Sequence, residues 1–231
     1  HQWEALADTL AIRVPRPWTW GVHGQQSYLA MEYLDLGGRL DPDRLGRALA
    51  ALHRVTADRF GWHRDNTIGS TPQPNPWTDD WVEFWRVQRL GHQLKLAASA
   101  GHGGRLQRTG EQLMAALPGL FTDYRPVPSL LHGDLWGGNC AAERGGGAPT
   151  LYDPAVYHGD RETDLAMTEL FGGFGQAFFQ AYHAAWPIDP GYRVRKDLYN
   201  AYHLLNHLNL FGGGYAGQAE AAMRRVLAEL G

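Results

Sequence analysis

Leu45, Leu49, Leu52 and Val55 recur at spacings of four, three and three, which places them on one face of a helix. Asp41-Pro42 suits the start of that helix, a capping side chain followed by a proline in the first turn. Ahead of it, residues 2–10 read as the end of a helix stopped before Pro15. Residues 18–22 and 27–33 read as two strands around a Gly24-Gln25-Gln26 turn. Leu36-Gly37-Gly38 then breaks the pattern. Residues 58–76, rich in Gly, Pro, Asn and Asp, read as a loop. A long helix is predicted from Thr78, with Asp79 and Asp80 in its first turn and Trp77, Trp81, Phe84 and Gln88 on one side. Another helix follows at 105–116, then short β segments around Leu130, 139–142 and 149–153. Beyond Asp160 the pattern is helical at 162–171, 175–185, 193–210 and 218–230. The order predicts an α+β chain: a small sheet lobe, a break at 34–38, and a large helical lobe with a β-lined loop inside it.

Composition changes this picture little. With 44% hydrophobic and 19% charged residues in 231, the chain can bury a substantial core. A net charge of −3 argues against a nucleic-acid or anionic-membrane partner. No apolar run has the length of a membrane span. The single cysteine, Cys140, has no partner for an internal disulfide and fits a reducing cytosol, so a cytoplasmic location is expected.

The chemistry concentrates in Leu130-Leu131-His132-Gly133-Asp134-Leu135-Trp136-Gly137-Gly138-Asn139 and in Tyr152-Asp153-Pro154-Ala155. An aspartate five residues before an asparagine on one tight loop places a general base beside a metal ligand, and a second aspartate after a short strand supplies another ligand. The protein-kinase catalytic loop uses the same Asp-to-Asn interval. Taken singly, Asn139 reads as a turn residue and Asp153-Pro154 as a strand end. Together with Asp134 they read as a phosphoryl-transfer site.

Three blocks carry a closer likeness. His132-Gly133-Asp134-Leu135-Trp136-Gly137-Gly138-Asn139 has a Leu-Trp pair after its aspartate. Phe60-Gly61 is followed by Asp65-Asn66-Thr67-Ile68-Gly69 and Gln73-Pro74-Asn75-Pro76-Trp77. Gly159-Asp160-Arg161-Glu162-Thr163-Asp164-Leu165-Ala166-Met167 is the third, and Tyr202-His203-Leu204-Leu205-Asn206-His207 adds to them. With these the chain resembles the fructosamine kinase (ketosamine 3-kinase) family, relatives of the aminoglycoside and choline kinases. The resemblance implies a protein-kinase-like two-lobe fold, divided here into a partial N-terminal lobe (1–36) and a helical C-terminal lobe (37–231). It also implies ATP- and Mg²⁺-dependent phosphorylation of the 3-hydroxyl of fructosamine or ribulosamine adducts, in protein deglycation. The substrates would be small ketosamines or glycated proteins. The alternatives are a small-molecule kinase of the aminoglycoside or choline type and a non-catalytic, pseudokinase-like binding domain.

On that resemblance Asp134 is the base, Asn139 and Asp153 hold Mg²⁺, and the hinge segment Glu32, Tyr33 and Leu34 binds adenine through the Glu32 carbonyl and the Leu34 amide. His132 supports the loop backbone. Asp164 holds the loop's amides, as an aspartate does in related kinases. Trp136 either stacks on the sugar or braces the loop. The Asp65–Trp77 block is expected to brace the active site from below, with substrate-side contacts as the second reading. His203 and His207, four apart without an acidic partner, read as a packed or surface pair, and Cys140 as a small buried residue. Kinases of this fold also carry a glycine-rich strand-turn-strand and a lysine paired with a helix glutamate. Lys95 and Lys196 both fall in the helical body, and the family register puts the glutamate just ahead of His1, leaving Glu4 out of place. The chain is therefore expected to be part of a longer protein, with little or no kinase activity by itself.

Overall fold

The computed structural model describes residues 2–231; His1, where the expected N-terminal lobe begins, lies outside the described residues. Helix α1 (Gln2–Ala7) leads to the antiparallel hairpin of β1 (Pro17–His23) and β2 (Gln26–Met31). Trp18, Val22 and Tyr28 stay exposed on it. The chain then crosses Glu32–Gly38 into the helical body, where the Gly37 and Gly38 amides donate to the Ala142 carbonyl at 3.0 and 2.9 Å.

Helix α2 (Pro42–His53) starts as the Asp41-Pro42 pair predicts. The Asp41 carboxylate accepts from the Asp43 and Arg44 amides, and Leu45, Leu49 and Leu52 are buried. Val55 departs from the prediction: it lies past the helix end and is 37% exposed. Its carbonyl accepts from Leu130, starting the chain's return to the active-site strands. Gly46 faces α7 (Gln176–Ala185), where a Cβ would sit 2.5 Å from the Phe178 carbonyl oxygen, so the two helix backbones approach closely.

The expected loop at 58–76 contains a short hairpin, β3 (Asn66–Ile68) and β4 (Thr71–Gln73). Its strands are too short and polar for a period-2 pattern to show, and side-chain hydrogen bonds hold it instead. The long helix begins at Trp81 rather than Thr78, because Asp80 accepts from the Glu83 amide and caps it. It runs as α3 (Trp81–Phe84), a π-helical stretch over Trp85–Gly91, and α4 (His92–Ser99). The wider π turn rotates the apolar face, so Trp85 and Arg89 are buried while Gln88 is not. Trp77 lies outside the helix, 38% exposed.

Helix α5 (Arg105–Ala116) spans its predicted range. Two antiparallel pairs then build the site: β5 (Ser129–Leu131) with β8 (Tyr157–Gly159), and β6 (Cys140–Ala142) with β7 (Pro149–Leu151). Strand β8 was not anticipated; its three residues carry no alternation. Helix α8 (Tyr192–Phe211) packs on α6 (Glu162–Leu170) and α9 (Ala216–Leu230), and α7 packs on α2, around a core that includes Leu165, Phe178, Leu205 and Val226. No helix among the described residues is long and apolar enough to cross a membrane.

Candidate active site

The two loops singled out by the sequence meet. The loop after β5 carries His132, Asp134 and Trp136; the loop after β7 carries Asp153. The Ala155 amide donates to the His132 carbonyl at 2.8 Å and the Tyr152 amide to the Asn139 carbonyl at 3.1 Å. Gly133 makes this approach possible: its φ is +86°, and a Cβ there would lie 2.0 Å from the Ala155 carbonyl oxygen.

Asn139 is buried at the junction. Its Nδ2 donates to the Asp134 carbonyl (2.8 Å), to Asp134 Oδ2 (3.3 Å) and to the Asp153 carbonyl (3.4 Å). No described group donates to Asn139 Oδ1 or to the Asp153 carboxylate, so one neutral and one anionic oxygen donor remain free on facing loops. Asp153 itself sits at φ +52°, in the left-handed region that aspartate tolerates at some cost. Burial raises the Asp134 carboxyl from 3.8 to about 7, against the opposing hydrogen bond from Asn139, with the Asp164 and Asp153 charges adding to the rise.

Asp164, in the first turn of α6, is fully enclosed. Its Oδ2 accepts from the His132 amide at 2.7 Å and its Oδ1 from the Gly133 amide at 2.8 Å. His53 Nε2 lies 3.1 Å from Oδ2, and His53 Nδ1 lies 2.8 Å from the Tyr182 hydroxyl. Burial alone would raise the Asp164 carboxyl; the His53 ring and the loop amides outweigh it and hold the group below its ordinary range. The His132 ring is buried and kept neutral by desolvation. Its Nε2 donates to the Tyr152 carbonyl (2.9 Å), and its Nδ1 accepts from the Asp134 amide (3.3 Å).

A cavity of about 420 Å³ opens over these groups. Asp134, Asn139 and Asp153 line it together with Trp136, whose ring is 40% exposed and lies over Gly138. Thr67 and Gly69 of the β3–β4 hairpin, Asn206, His207, Leu210 and Phe211 of α8, Pro154, and Gln2 and Trp3 of α1 form the rest of the wall. His207 and Phe211 were missed as cavity residues. The signal was present in the Tyr202–His207 block, but helical spacing alone does not say which residue faces a cavity. His203 is buried, as expected of a packed residue. His207 hydrogen-bonds the His203 carbonyl at 2.8 Å and packs against Phe171, Phe211 and Tyr215.

The hinge residues lie away from this cavity. The Glu32 carboxylate pairs with Arg13 at 2.5 Å and its amide donates to Arg16, while the Glu32 carbonyl and the Leu34 amide bond to no described group. Tyr33 is 83% exposed. Cys140 is buried, and burial pushes its thiol up to about 12, so it is no nucleophile. Neither lysine lines the cavity; Lys196 pairs with Glu169.

A helical body enclosing short two-stranded sheets, with Asp134 and Asn139 on one loop and Asp153 on the next, is the arrangement of a phosphotransferase of the protein-kinase-like fold. A choline/ethanolamine kinase family protein from Mesorhizobium loti shares that fold, with a TM-score of 0.62 at 15% identity over 99% of this chain and 80% of that one. The family model for fructosamine kinase matches residues 1–229, and the chain belongs to that family. It is 50% identical to a probable ketoamine kinase of Synechocystis, over 97% of this chain and 76% of the relative. It is 44% identical to the chloroplastic protein-ribulosamine 3-kinase of Arabidopsis thaliana, over 94% of this chain and 67% of the relative.

Proposed function

We propose that this chain phosphorylates the 3-hydroxyl of a ketosamine, a ribulosamine or fructosamine adduct of an amine, with ATP as donor. The observation that carries the reading is the charge of the cavity. Among the described residues its only carboxylates are Asp134 and Asp153, and once those serve as base and ligand the remaining wall is apolar, aromatic or neutral and hydrogen-bonding. Such a wall suits a sugar bearing one amine. A polycationic aminoglycoside calls for further carboxylates, which this cavity does not offer.

In this reading Asp134 accepts the proton of the acceptor hydroxyl as its oxygen bonds to the γ-phosphorus and the bridging oxygen leaves with ADP. A carboxyl near 7 is matched to that task at neutral pH. Asn139 Oδ1 and the Asp153 carboxylate fit a hard divalent cation, whose remaining positions water and phosphate would fill. Mg²⁺ bound there would neutralise charge on the transferring phosphoryl group. Asp164 and His132 hold the loop, Trp136 offers a ring face to the sugar, and the Glu32 carbonyl and Leu34 amide pair with adenine. Residues 1–36 then belong to the nucleotide-side lobe and 37–231 to the acceptor side. The reaction is placed in the cytoplasm, with small ketosamines or glycated proteins as substrates; the name of the Arabidopsis relative, a protein-ribulosamine 3-kinase, supports that substrate class.

The test is phosphate transfer by the full-length protein from Mg-ATP to ribulosyl- and fructosyl-lysine peptides, with kanamycin and choline alongside. Phosphorylated ketosamine from the wild type and none from Asp134→Asn is the expected result. Transfer only to kanamycin or choline overturns the substrate assignment. Equal activity in Asp134→Asn removes Asp134 as the base.

A further inference from the structure

The β3–β4 hairpin carries an array of buried polar side chains aimed at one stretch of backbone. Asn66 Nδ2 donates to the Val156 carbonyl at 2.8 Å, and Gln73 Nε2 donates to the Ala155 carbonyl at 3.1 Å. Asn66 Oδ1 in turn accepts from Gln73 Nε2 and Asn75 Nδ2, both at 2.8 Å. Behind them, the Tyr202 hydroxyl donates to Gln73 Oε1 at 2.9 Å, and Arg89 donates to Asn75 Oδ1 at 2.6 Å and to the Pro74 carbonyl at 2.7 Å. Gln73, Asn75, Arg89 and Tyr202 are each at most 2% exposed.

Arg89 gives the array its weight. It is fully buried, and no ion pair with a carboxylate is found for it among the described residues. Its charge is spread over three oxygen acceptors, the Pro74 and Gln88 carbonyls and Asn75 Oδ1, and the faces of Tyr157 and Phe84, 4.0 and 4.6 Å away. A buried cation is costly to keep, and an eight-residue hairpin has no need of one.

The two carbonyls that Asn66 and Gln73 reach belong to the segment that follows Asp153. That segment is gripped from the other side by the Ala155 amide's bond to His132 and by contact with Gly133. Asp153 stands at φ +52°, a conformation that its surroundings must hold in place. We propose that Asn66, Gln73 and Asn75 are positioning residues for Asp153. They act through the carbonyls of Ala155 and Val156, with Arg89 and Tyr202 locking them, and keep the Asp153 carboxylate aimed at the cation site. The proposal rests on the reading of Asp153 as a cation ligand. It also assigns a purpose to the Asp65–Trp77 block: the same hairpin that lines the acceptor cavity with Thr67 and Gly69 sets the geometry of the ion's ligand.

The test is Mn²⁺ binding to the full-length protein in the presence of a non-hydrolysable ATP analogue. It is read by electron paramagnetic resonance of the free ion, beside thermal unfolding and the Mg²⁺ dependence of turnover. Gln73→Met keeps volume but loses both hydrogen-bonding ends; Tyr202→Phe loses one hydroxyl. Loss of a supporting partner weakens ion binding by roughly tenfold, so about tenfold is expected for Gln73→Met and about threefold for Tyr202→Phe. A brace that serves only the fold would lower the unfolding temperature and leave Mn²⁺ affinity as in the wild type, and that result overturns the proposal. If Gln73→Met does not fold, Tyr202→Phe decides alone. Asp153→Asn is the control: unchanged Mn²⁺ binding there overturns the ligand reading itself, whereas weakened binding there with unchanged binding in the hairpin variants overturns only the positioning role.

Discussion

Asp134→Asn should make the protein more stable while removing its chemistry. The Asp134 carboxyl is raised by burial from 3.8 to about 7. An unfolded aspartate loses its proton near pH 4, so between about pH 4 and 7 the unfolded chain is ionised at this position and the folded chain is not. Raising the pH through that window favours unfolding, and above pH 7 the penalty is constant. Fully shielded, it would be about 4 kcal/mol. One edge of the half-buried side chain faces the open cavity, and screening there reduces the figure to about 2 kcal/mol. Asparagine keeps an oxygen for the Asn139 amide and carries no charge. Urea unfolding followed by tryptophan fluorescence should therefore show Asp134→Asn ahead of the wild type by about 2 kcal/mol at pH 8, with the margin shrinking toward zero near pH 4. Turnover of the full-length protein should fall by about a hundredfold or more. Equal stability at pH 8, or a margin that does not narrow with acid, would refute the reasoning, because only a desolvated carboxylate produces that dependence.

Gly133→Ala places a Cβ 2.0 Å from the Ala155 carbonyl oxygen at a φ of +86°, so a loss of about 2 kcal/mol or more is expected in urea, with turnover lost as the two loops separate. Arg195→Met strips the buried Glu162 of the guanidinium that now meets it at 2.7 Å; unfolding free energy should drop by about 3–5 kcal/mol, and a loss under about 1 kcal/mol would mean the pair is replaceable. Cys140, its thiol pushed up to about 12 by burial, should resist a thiol reagent at pH 8 in the native protein and react at once in urea; native labelling would place it at the surface.

How much the sequence discloses depends on whether a feature is local. Asp41-Pro42 caps α2 as read, because a cap is made by neighbours. The loops bearing Asp134 and Asp153 were legible as motifs, since each residue is set by its own turn. The 58–76 hairpin was not: Asn66, Gln73 and Asn75 are held by partners at Ala155 and Val156, on α8 and on the π-helical turn, none of which is near in sequence. Arg89 shows the same limit from another side. A helical wheel from Trp81 selects Gln88, and only the π turn brings Arg89 inward instead. His207 could be placed on a helix by pattern but not turned toward a cavity, because the cavity wall comes from five separate segments.

Asp134 and Asp164 show how environment separates identical side chains. Burial pushes both carboxyls upward. Asp164 receives two backbone amides and the His53 ring, and these donors more than cancel the penalty, leaving an anion with its lone pairs committed. Asp134 receives one amide hydrogen bond at 3.3 Å from a side chain already shared among three acceptors, and it keeps a proton affinity near neutrality. A group of the first kind can orient a loop but cannot take up a substrate's proton without giving up the bonds that hold it. A group of the second kind can take the proton at little cost. The number of donors around each carboxylate thus favours the proposed roles, Asp134 as base and Asp164 as anchor, before any substrate is placed in the cavity.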